Sequence, residues 1–262
     1  MAEILVTGGT GVLGRQLVPK LQAAGHSVRV LSRRAGARVP VGVALFHGEM
    51  ATGEGLSQAV AGTQSIVHCA TSPLRHLRQV DVEGTKRLLE AADRAGCGHV
   101  VYISIVGIDR VPYPYYKVKL EAERAIEASG LPFTILRATQ FHHLILQFFR
   151  KAERAGFLFL PKGFVFQPVE TEEVAERLAE LVAAGPSARV PDTGGPEVRS
   201  IGDLARAYLD ITASRARLVR LPVPGKSGRG FRAGLHTCPD HADGTVTWEQ
   251  FLRRRSDPPA TL

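Results

Sequence analysis

Apolar residues change their period twice within the first thirty positions. Ile4, Leu5 and Val6 form a continuous apolar run that Gly8 closes, the signature of a buried strand. Leu13, Leu17 and Leu21 then recur every fourth residue, which sets them on one face of a helix ended by Gly25. Residues 28–31 return to a strand pattern, so the segment reads as a βαβ unit. The alternation goes on, with strands predicted over 43–46, 65–69, 99–105 and 133–137 and helices over 56–60, 84–95 and 117–129. Repeated β-α alternation implies a parallel sheet with helices on both faces. The expected fold is therefore α/β, a doubly wound Rossmann sheet.

Past Arg137 the rhythm changes. Residues 141–155 are dense in apolar side chains (Leu144, Ile145, Leu146, Phe148, Phe149) and read as one helix. A Phe-rich run over 157–169 follows, and its Phe157, Phe159, Phe164 and Phe166 read as packing residues rather than a base-stacking platform. Thr171 reads as a helix N-cap, with Glu172 and Glu173 placed where the helix dipole favours acids. A helix near 201–211 stands out in the Pro- and Gly-rich remainder, and residues 256–262 are expected to be disordered. The predicted division is a nucleotide-binding core of 1–140 plus 171–185 and a smaller C-terminal substrate lobe of 141–170 plus 186–262.

Composition narrows the class. The chain has 262 residues, 44% of them hydrophobic and 22% charged, with a net charge of +8. That is enough apolar material to offset the entropy of ordering most of the chain. Cys69, Cys97 and Cys238 are odd in number and lack CxxC spacing, which suits neither a disulfide framework nor a zinc site. Residues 1–10 lack a basic stretch leading into an apolar core, and no apolar run approaches a membrane span, so a cytoplasmic protein is expected. The positive charge raises a nucleic-acid reading, yet no helix-turn-helix, zinc-finger or RNA-binding signature accompanies it. A solvated basic surface, or one that draws in an anionic cofactor, fits better.

Candidate chemistry begins at the first turn. Gly8, Gly11 and Gly14 follow G-x-x-G-x-x-G between a strand and a helix. Glycines there let the chain turn tightly and let a pyrophosphate reach the helix N-terminus, where free N–H groups and the dipole stabilise negative charge. The second strand ends in Ser32-Arg33-Arg34, without the acid that would bind ribose hydroxyls. Ser32 can donate to a 2′-phosphate and Arg33 can pair with it, which points to NADP(H); a solvated basic pair is the plainer alternative. Tyr115 and Lys119 stand one helical turn apart on one side, as do Tyr113 and Lys117. The residues leaving the carboxyl ends of the strands, 104–116 and 138–143, are where an open α/β sheet binds ligands. Gln140, Phe141 and His142 are accordingly the expected substrate-pocket residues. No metal is expected, because His142 and His143 are adjacent and cannot both face one ion from a helix.

These motifs resemble the short-chain dehydrogenase/reductase superfamily, and within it the atypical, NmrA-like group of NAD(P)H-binding proteins. Thr7-Gly8-Gly9-Thr10-Gly11-Val12-Leu13-Gly14 is similar to that group's T-G-x-x-G-x-x-G opening, and Asp81-Val82-Glu83-Gly84-Thr85 to its N/D-V-x-G-T helix start. The resemblance implies cofactor contacts from Thr7, Gly8, Thr10, Gly11, Val12, Leu13 and Gly14, from Ser32 and Arg33, and from Cys69 and Ala70 beside adenine and ribose. It puts Glu49 where an adenine-contacting Asp is common. It makes Tyr115 the general acid or base and Lys119 the residue that lowers its pKa and holds the nicotinamide ribose. Tyr115 is preferred to Tyr113 because Glu123 stands four residues after Lys119, as in the group's extended motif. The expected serine or threonine falls near Val106, so either Ser104 substitutes or the triad is incomplete. The implied function is an NADPH-dependent oxidoreductase acting on a carbonyl or quinone-like small molecule, as monomer or homodimer. An NADP(H)-sensing regulator without catalysis, and epimerase or dehydratase chemistry, stay open beside it.

Overall fold

The computed structural model describes residues 1–72 and 76–256. In chain order the elements are β1 (Glu3–Thr7), α1 (Val12–Ala23), β2 (Ser27–Ser32), β3 (Ala44–His47), α2 (Leu56–Val60), β4 (Ser65–His68), α3 (Gly84–Arg94), β5 (His99–Ile105), α4 (Pro114–Glu127) and β6 (Phe133–Ala138). There follow α5 (His142–Ala152), β7 (Glu153–Arg154), β8 (Phe157–Pro161), β9 (Val165–Phe166), α6 (Thr171–Ala184), β10 (Ala188–Arg189), β11 (Arg199–Ser200), α7 (Ile201–Ile211), β12 (Arg217–Leu221), α8 (Gly225–Arg232) and α9 (Trp248–Ser256). A π-helical turn, Gln79–Glu83, leads into α3. The expected disordered tail beyond Ser256 lies outside the described residues.

The chain divides into two compact units. The first comprises 1–104, 114–137 and 172–191 and holds a seven-stranded sheet in the order β10-β6-β5-β4-β1-β2-β3. Its described registers are parallel, for example Val6 beside Val30 on one side and Val67 on the other. This is the doubly wound order, and its topological switch point lies between β1 and β4. Strand alternation explains the two apolar faces. Leu5, Ile66, Val100, Tyr102 and Ile135 pack with residues of α2, α3 and α4 in one cluster. Ile4, Val6, Val67 and Val101 are as deeply buried and, by the period of two, face the other side.

The second unit comprises 105–113, 138–171 and 192–262, of which the residues to 256 are described. Its core joins Ile145, Leu146 and Phe149 of α5 to Leu158 and Leu160 of β8, Leu204 and Tyr208 of α7, and Trp248 and Phe251 of α9. The helix expected over 141–155 stops at Ala152. Ala155 and Gly156 both take positive φ, 48° and 78°, and this two-residue turn folds β7 back on β8 as an antiparallel hairpin. Alternation along β8 points Leu158 and Leu160 inward and leaves Phe157 and Phe159 exposed, whereas Phe164 is buried against Phe231. No helix among the described residues is long and apolar enough to cross a membrane.

Candidate active site

The first turn is built from backbone. Gly8 has φ +71°, and a Cβ there would stand 2.7 Å from the backbone of Cys69 and Ala70. A Cβ on Gly14 would lie 2.4 Å from the Gly8 carbonyl oxygen and the Gly9 Cα. Strand and helix can approach this closely only without side chains. The Gly11 N–H bonds the Gly8 carbonyl at 2.9 Å, and Gly11 then serves as the N-cap of α1. No side chain caps α1 and its first turn holds no acid, so its positive end meets no opposing charge from its own residues. Thr10, Val12 and Leu13 lie in the same turn. This geometry fits a pyrophosphate group.

The other expected cofactor residues flank that turn within the same unit. Ser32 is buried at the end of β2, and its Oγ accepts the Arg34 N–H at 3.1 Å, which turns the chain and leaves Arg33 exposed. Glu49 is half-buried in the loop after β3, where its backbone bonds Gly53 and Glu54. Cys69 and Ala70 follow β4 directly against Gly8. Burial pushes the Cys69 thiol up to about 12, which makes it a poor nucleophile.

Tyr115 sits in the first turn of α4, with its hydroxyl 2.9 Å from Thr71 Oγ1. Thr71 donates its own hydrogen to Asp81 Oδ1 at 2.6 Å, so in this pair the tyrosine is the donor. The Ser72 N–H fills Asp81 Oδ2 at 2.9 Å. Asp81 is 1% exposed in the π-helical turn that packs on α4. Lys119, one turn on, is buried; its Nζ donates to the Ile103 carbonyl at 3.1 Å and lies 4.1 Å from the Tyr102 ring centre. Burial lowers its pKa, and the charges of Asp81 and Glu123 act against that fall. Glu123 itself is held by Arg137 of β6 in a two-point buried ion pair, at 2.9 and 2.6 Å. Tyr113, the other tyrosine with this spacing, is exposed and belongs to the second unit, where its ring meets Phe231 edge-on.

A second buried chain ties the glycine turn to α3. Thr7 Oγ1 lies 2.6 Å from His68 Nδ1, and His68 Nε2 lies 2.9 Å from Thr85 Oγ1. Thr85 uses its hydrogen on the Asp81 carbonyl, so it accepts from Nε2–H and Thr7 donates to Nδ1. Burial and then the nearby Lys119 charge drive His68 down to about 3, which keeps the ring neutral. Gly84 completes the packing, since a Cβ there would stand 2.8 Å from the Met50 carbonyl.

Ser104, at the end of β5, is 3% exposed and its Oγ has no hydrogen-bond partner among the described residues. Val106, at the position expected for a hydroxyl, is fully buried and gives its N–H to the Ala138 carbonyl in the second unit. Gln140, Phe141 and His142 also belong to that unit, where Phe141 bridges Val169 and caps α5. His142 is 1% exposed and stacked on Trp248 and Phe251, at 5.8 and 5.0 Å, and burial lowers it to about 4. Its ring is a packing element of α5 and α9. Among the described residues no group of three or more His, Cys, Asp and Glu side chains is arranged to hold a metal.

Sequence reasoning missed Thr71, the side-chain role of Asp81, the Tyr102 ring beside Lys119 and the Arg137 partner of Glu123. Asp81 carried a signal, being the acid of a helix-start motif followed at i+4 by a threonine. Thr71 carried none, because a threonine in a loop has no period to betray its neighbours.

Comparison with known proteins shows a family and a fold. A family model described as NAD(P)H-binding matches residues 8–183. A photosystem II assembly factor, Ycf39 of Trieres chinensis, is 30% identical over 152 residues, covering 55% of this chain and 48% of the relative. The matched stretch spans less than half the length of this relative and of the Ycf39 assembly factors of Cyanophora paradoxa and Synechocystis, 45–48%. A (4-alkanoyl-5-oxo-2,5-dihydrofuran-3-yl)methyl phosphate reductase of Streptomyces griseus is 28% identical over 201 residues, 74% of this chain and 68% of the relative. Among solved structures, an NADPH-dependent quinone oxidoreductase of Escherichia coli complexed with NADPH superposes with a TM-score of 0.80. It covers 97% of this chain and 100% of that one at 17% identity, a likeness of fold.

Proposed function

This chain belongs to the NAD(P)H-binding family, as its resemblance to the atypical, NmrA-like group implied, and on that premise we propose that it is an NADPH-dependent oxidoreductase of a carbonyl or quinone-like compound. The observation that carries the reading is the Tyr115 hydroxyl, polarised by the Thr71–Asp81 pair with the buried Lys119 cation one turn away. The reductase and quinone oxidoreductase among the similar proteins support the same class.

The backbone of Thr7 to Gly14 would hold the pyrophosphate, and Ser32 with Arg33 the 2′-phosphate. Glu49, Cys69 and Ala70 would line the adenosine, and Lys119 the nicotinamide ribose. A bound reduced nicotinamide supplies hydride. Tyr115 delivers the proton to the substrate oxygen; an unperturbed tyrosine with a pKa of about 10 is a weak acid at neutral pH, and the Lys119 charge favours its ionised form. Ser104, with an unpartnered Oγ, is the candidate second donor. On the substrate side we keep Gln140 and Phe141 as contacts, and His142 as the residue that fixes their backbone. The nucleotide would then belong to 1–140 plus 171–185 and substrate selection to the remaining lobe.

Tyr115→Phe is the test. Turnover of whichever ketone, aldehyde or quinone the wild type reduces should fall by about 10²–10⁴, with NADPH affinity within a few-fold. Full activity in that variant would overturn the assignment. A second reading, an NADP(H)-responsive regulator without catalysis, is favoured by Val106 at the expected hydroxyl position. Its mark would be tight NADPH binding with no consumption across the same panel.

A further inference from the structure

We infer that Tyr102 is a positioning residue for Lys119: the face of its ring, acting with the Ile103 carbonyl, keeps the buried ammonium charged and in place near the carboxyl end of β5. For its catalytic consequence the inference rests on the proposed oxidoreductase reading, whereas the contact between ring and ammonium does not. One strand makes both contacts because of its alternation. The Tyr102 side chain joins the apolar cluster shared with α3 and α4, and Ile103 presents its backbone carbonyl one residue on. Lys119 Nζ donates to that carbonyl at 3.1 Å and lies 4.1 Å from the centre of the Tyr102 ring. An ammonium within about 6 Å of a ring centre, over its face, is attracted by the ring's negative quadrupole, most strongly where water is excluded. Both partners are out of water, Tyr102 at 1% exposure and Lys119 at 3%.

The hydroxyl of Tyr102 plays no part in this contact. It is buried and has no hydrogen-bond partner among the described residues. Burial, and after it the charge of Asp81, hold the phenol well above its ordinary value, so it stays neutral and is no counter-ion for Lys119. What the lysine meets at this position is therefore the ring face. The groups whose charge bears on Lys119 come from every side. They are Asp81 of the π-helical turn, Glu123 of α4, and Cys69 beyond β4, and Lys119 in turn acts on His68 of β4. Burial is the largest influence on Lys119 and opposes its charge, which Asp81 and Glu123 favour. Each of those carboxylates also serves other donors: Glu123 is held at two points by Arg137 of β6, and Asp81 accepts from Thr71 and the Ser72 N–H. His68, the register partner of Tyr102, stacks with the same ring at 5.2 Å and, held near 3 by burial, brings no competing cation. Cys69, pushed up to about 12, stays a neutral thiol.

The test alters the charge on the ring face while keeping the ring's shape. Tyr102→Phe is made first, and then mono-, di- and trifluorinated phenylalanine are placed in turn at position 102, each fluorine drawing negative charge off the face. In protein labelled with ¹³Cε-lysine and assigned by Lys119→Met, the Lys119 resonance is followed against pH. Tyr102→Phe should keep the wild-type midpoint, since the hydroxyl does not serve the contact. The fluorinated series should lower that midpoint stepwise, by about 0.5–1.5 units in all. A ring that only fills space would give one midpoint across the series, and that result would overturn the inference. Where the wild type reduces a quinone or ketone, the alkaline limb of kcat should move to lower pH in step with the Lys119 midpoint. A limb that stays fixed while the midpoint moves would detach the contact from catalysis and overturn the positioning role. If no member of the panel is reduced, the oxidoreductase reading fails, and the lysine titration still decides the contact.

Discussion

The nucleotide-binding unit has two polar ends built on opposite principles. At the β1–α1 turn the chemistry comes from missing side chains: Gly8 and Gly14 bring backbone within 2.4–2.7 Å of where a Cβ would stand, and the helix end is left uncapped. At the start of α4 it comes from side chains recruited from separate segments. Thr71 after β4, Asp81 in the π-helical turn, and Tyr115 and Lys119 on α4 meet there. His68 joins the two ends, with Thr7 of β1 on one ring nitrogen and Thr85 of α3 on the other. A backbone site fails sterically and all at once, whereas a side-chain site fails one partner at a time.

The largest effect should come from crowding the first end. Gly14→Val puts side-chain atoms into space where a Cβ alone is already 2.4 Å from backbone, and no flexible neighbour can yield. NADPH affinity by fluorescence titration should drop more than about a hundredfold, roughly 3 kcal/mol. An affinity near wild type would mean the turn does not carry the phosphates.

Next in size is the ion pair beneath the second end. Glu123→Gln leaves Arg137 buried at 4% exposure without its charge partner. Chemical denaturation at neutral pH should show a loss of about 3–5 kcal/mol, without the steric collapse expected at Gly14. If stability holds, the pair is better hydrated than its burial indicates.

The link between the ends can be broken with acid. The unfolded His68 ring binds a proton below its ordinary 6.5, while the folded ring resists until about 3. Between those values the unfolded state binds more protons, so stability falls as pH drops through that window and is fully present above it. His142 and His236, each lowered to about 4 by burial, add to the same trend in the second unit. Comparing denaturation at pH 7.5 and 4.5, His68→Gln should narrow the stability gap by about 2 kcal/mol. An unchanged gap would assign acid sensitivity to the second unit alone.

The smallest effect is at the edge of the cofactor end. Arg33 is exposed, so Arg33→Ala should leave stability untouched and reduce the preference for NADPH over NADH by about tenfold, near 1.4 kcal/mol. Equal affinity for both cofactors in the wild type would remove the 2′-phosphate role altogether.

The two ends also differ in how far they could be read along the chain. The glycine turn was legible because steric need writes itself locally: a strand, a spaced glycine triplet and a helix are contiguous. The Tyr115–Lys119 pair was legible as a helical spacing, although Tyr113–Lys117 shared it. The family resemblance preferred the first pair through Glu123, and the tertiary contacts set the two apart, with Tyr115 on the Thr71–Asp81 pair and Tyr113 exposed against Phe231. Thr71 gave no signal because its partner is ten residues away in a turn without amphipathic pattern. His142 shows the converse: a histidine at a helix start beside a strand end has the pattern of a ligand contact, and nothing near it in sequence announces its burial. The aromatic rings that bury it, Trp248 and Phe251, lie over a hundred residues further along the chain.

Sequence alone determined the β-α rhythm, the doubly wound sheet it implies and the place of the glycine turn, because hydrophobic period and glycine sterics act between near neighbours. It did not determine the hairpin that ends α5 at Ala152, the neutral tautomer of His68 or the donor order from Tyr115 to Asp81. Each of those depends on which groups are brought out of water together. A hydrogen bond's direction and a buried group's charge are properties of that enclosure, and only the folded chain supplies it.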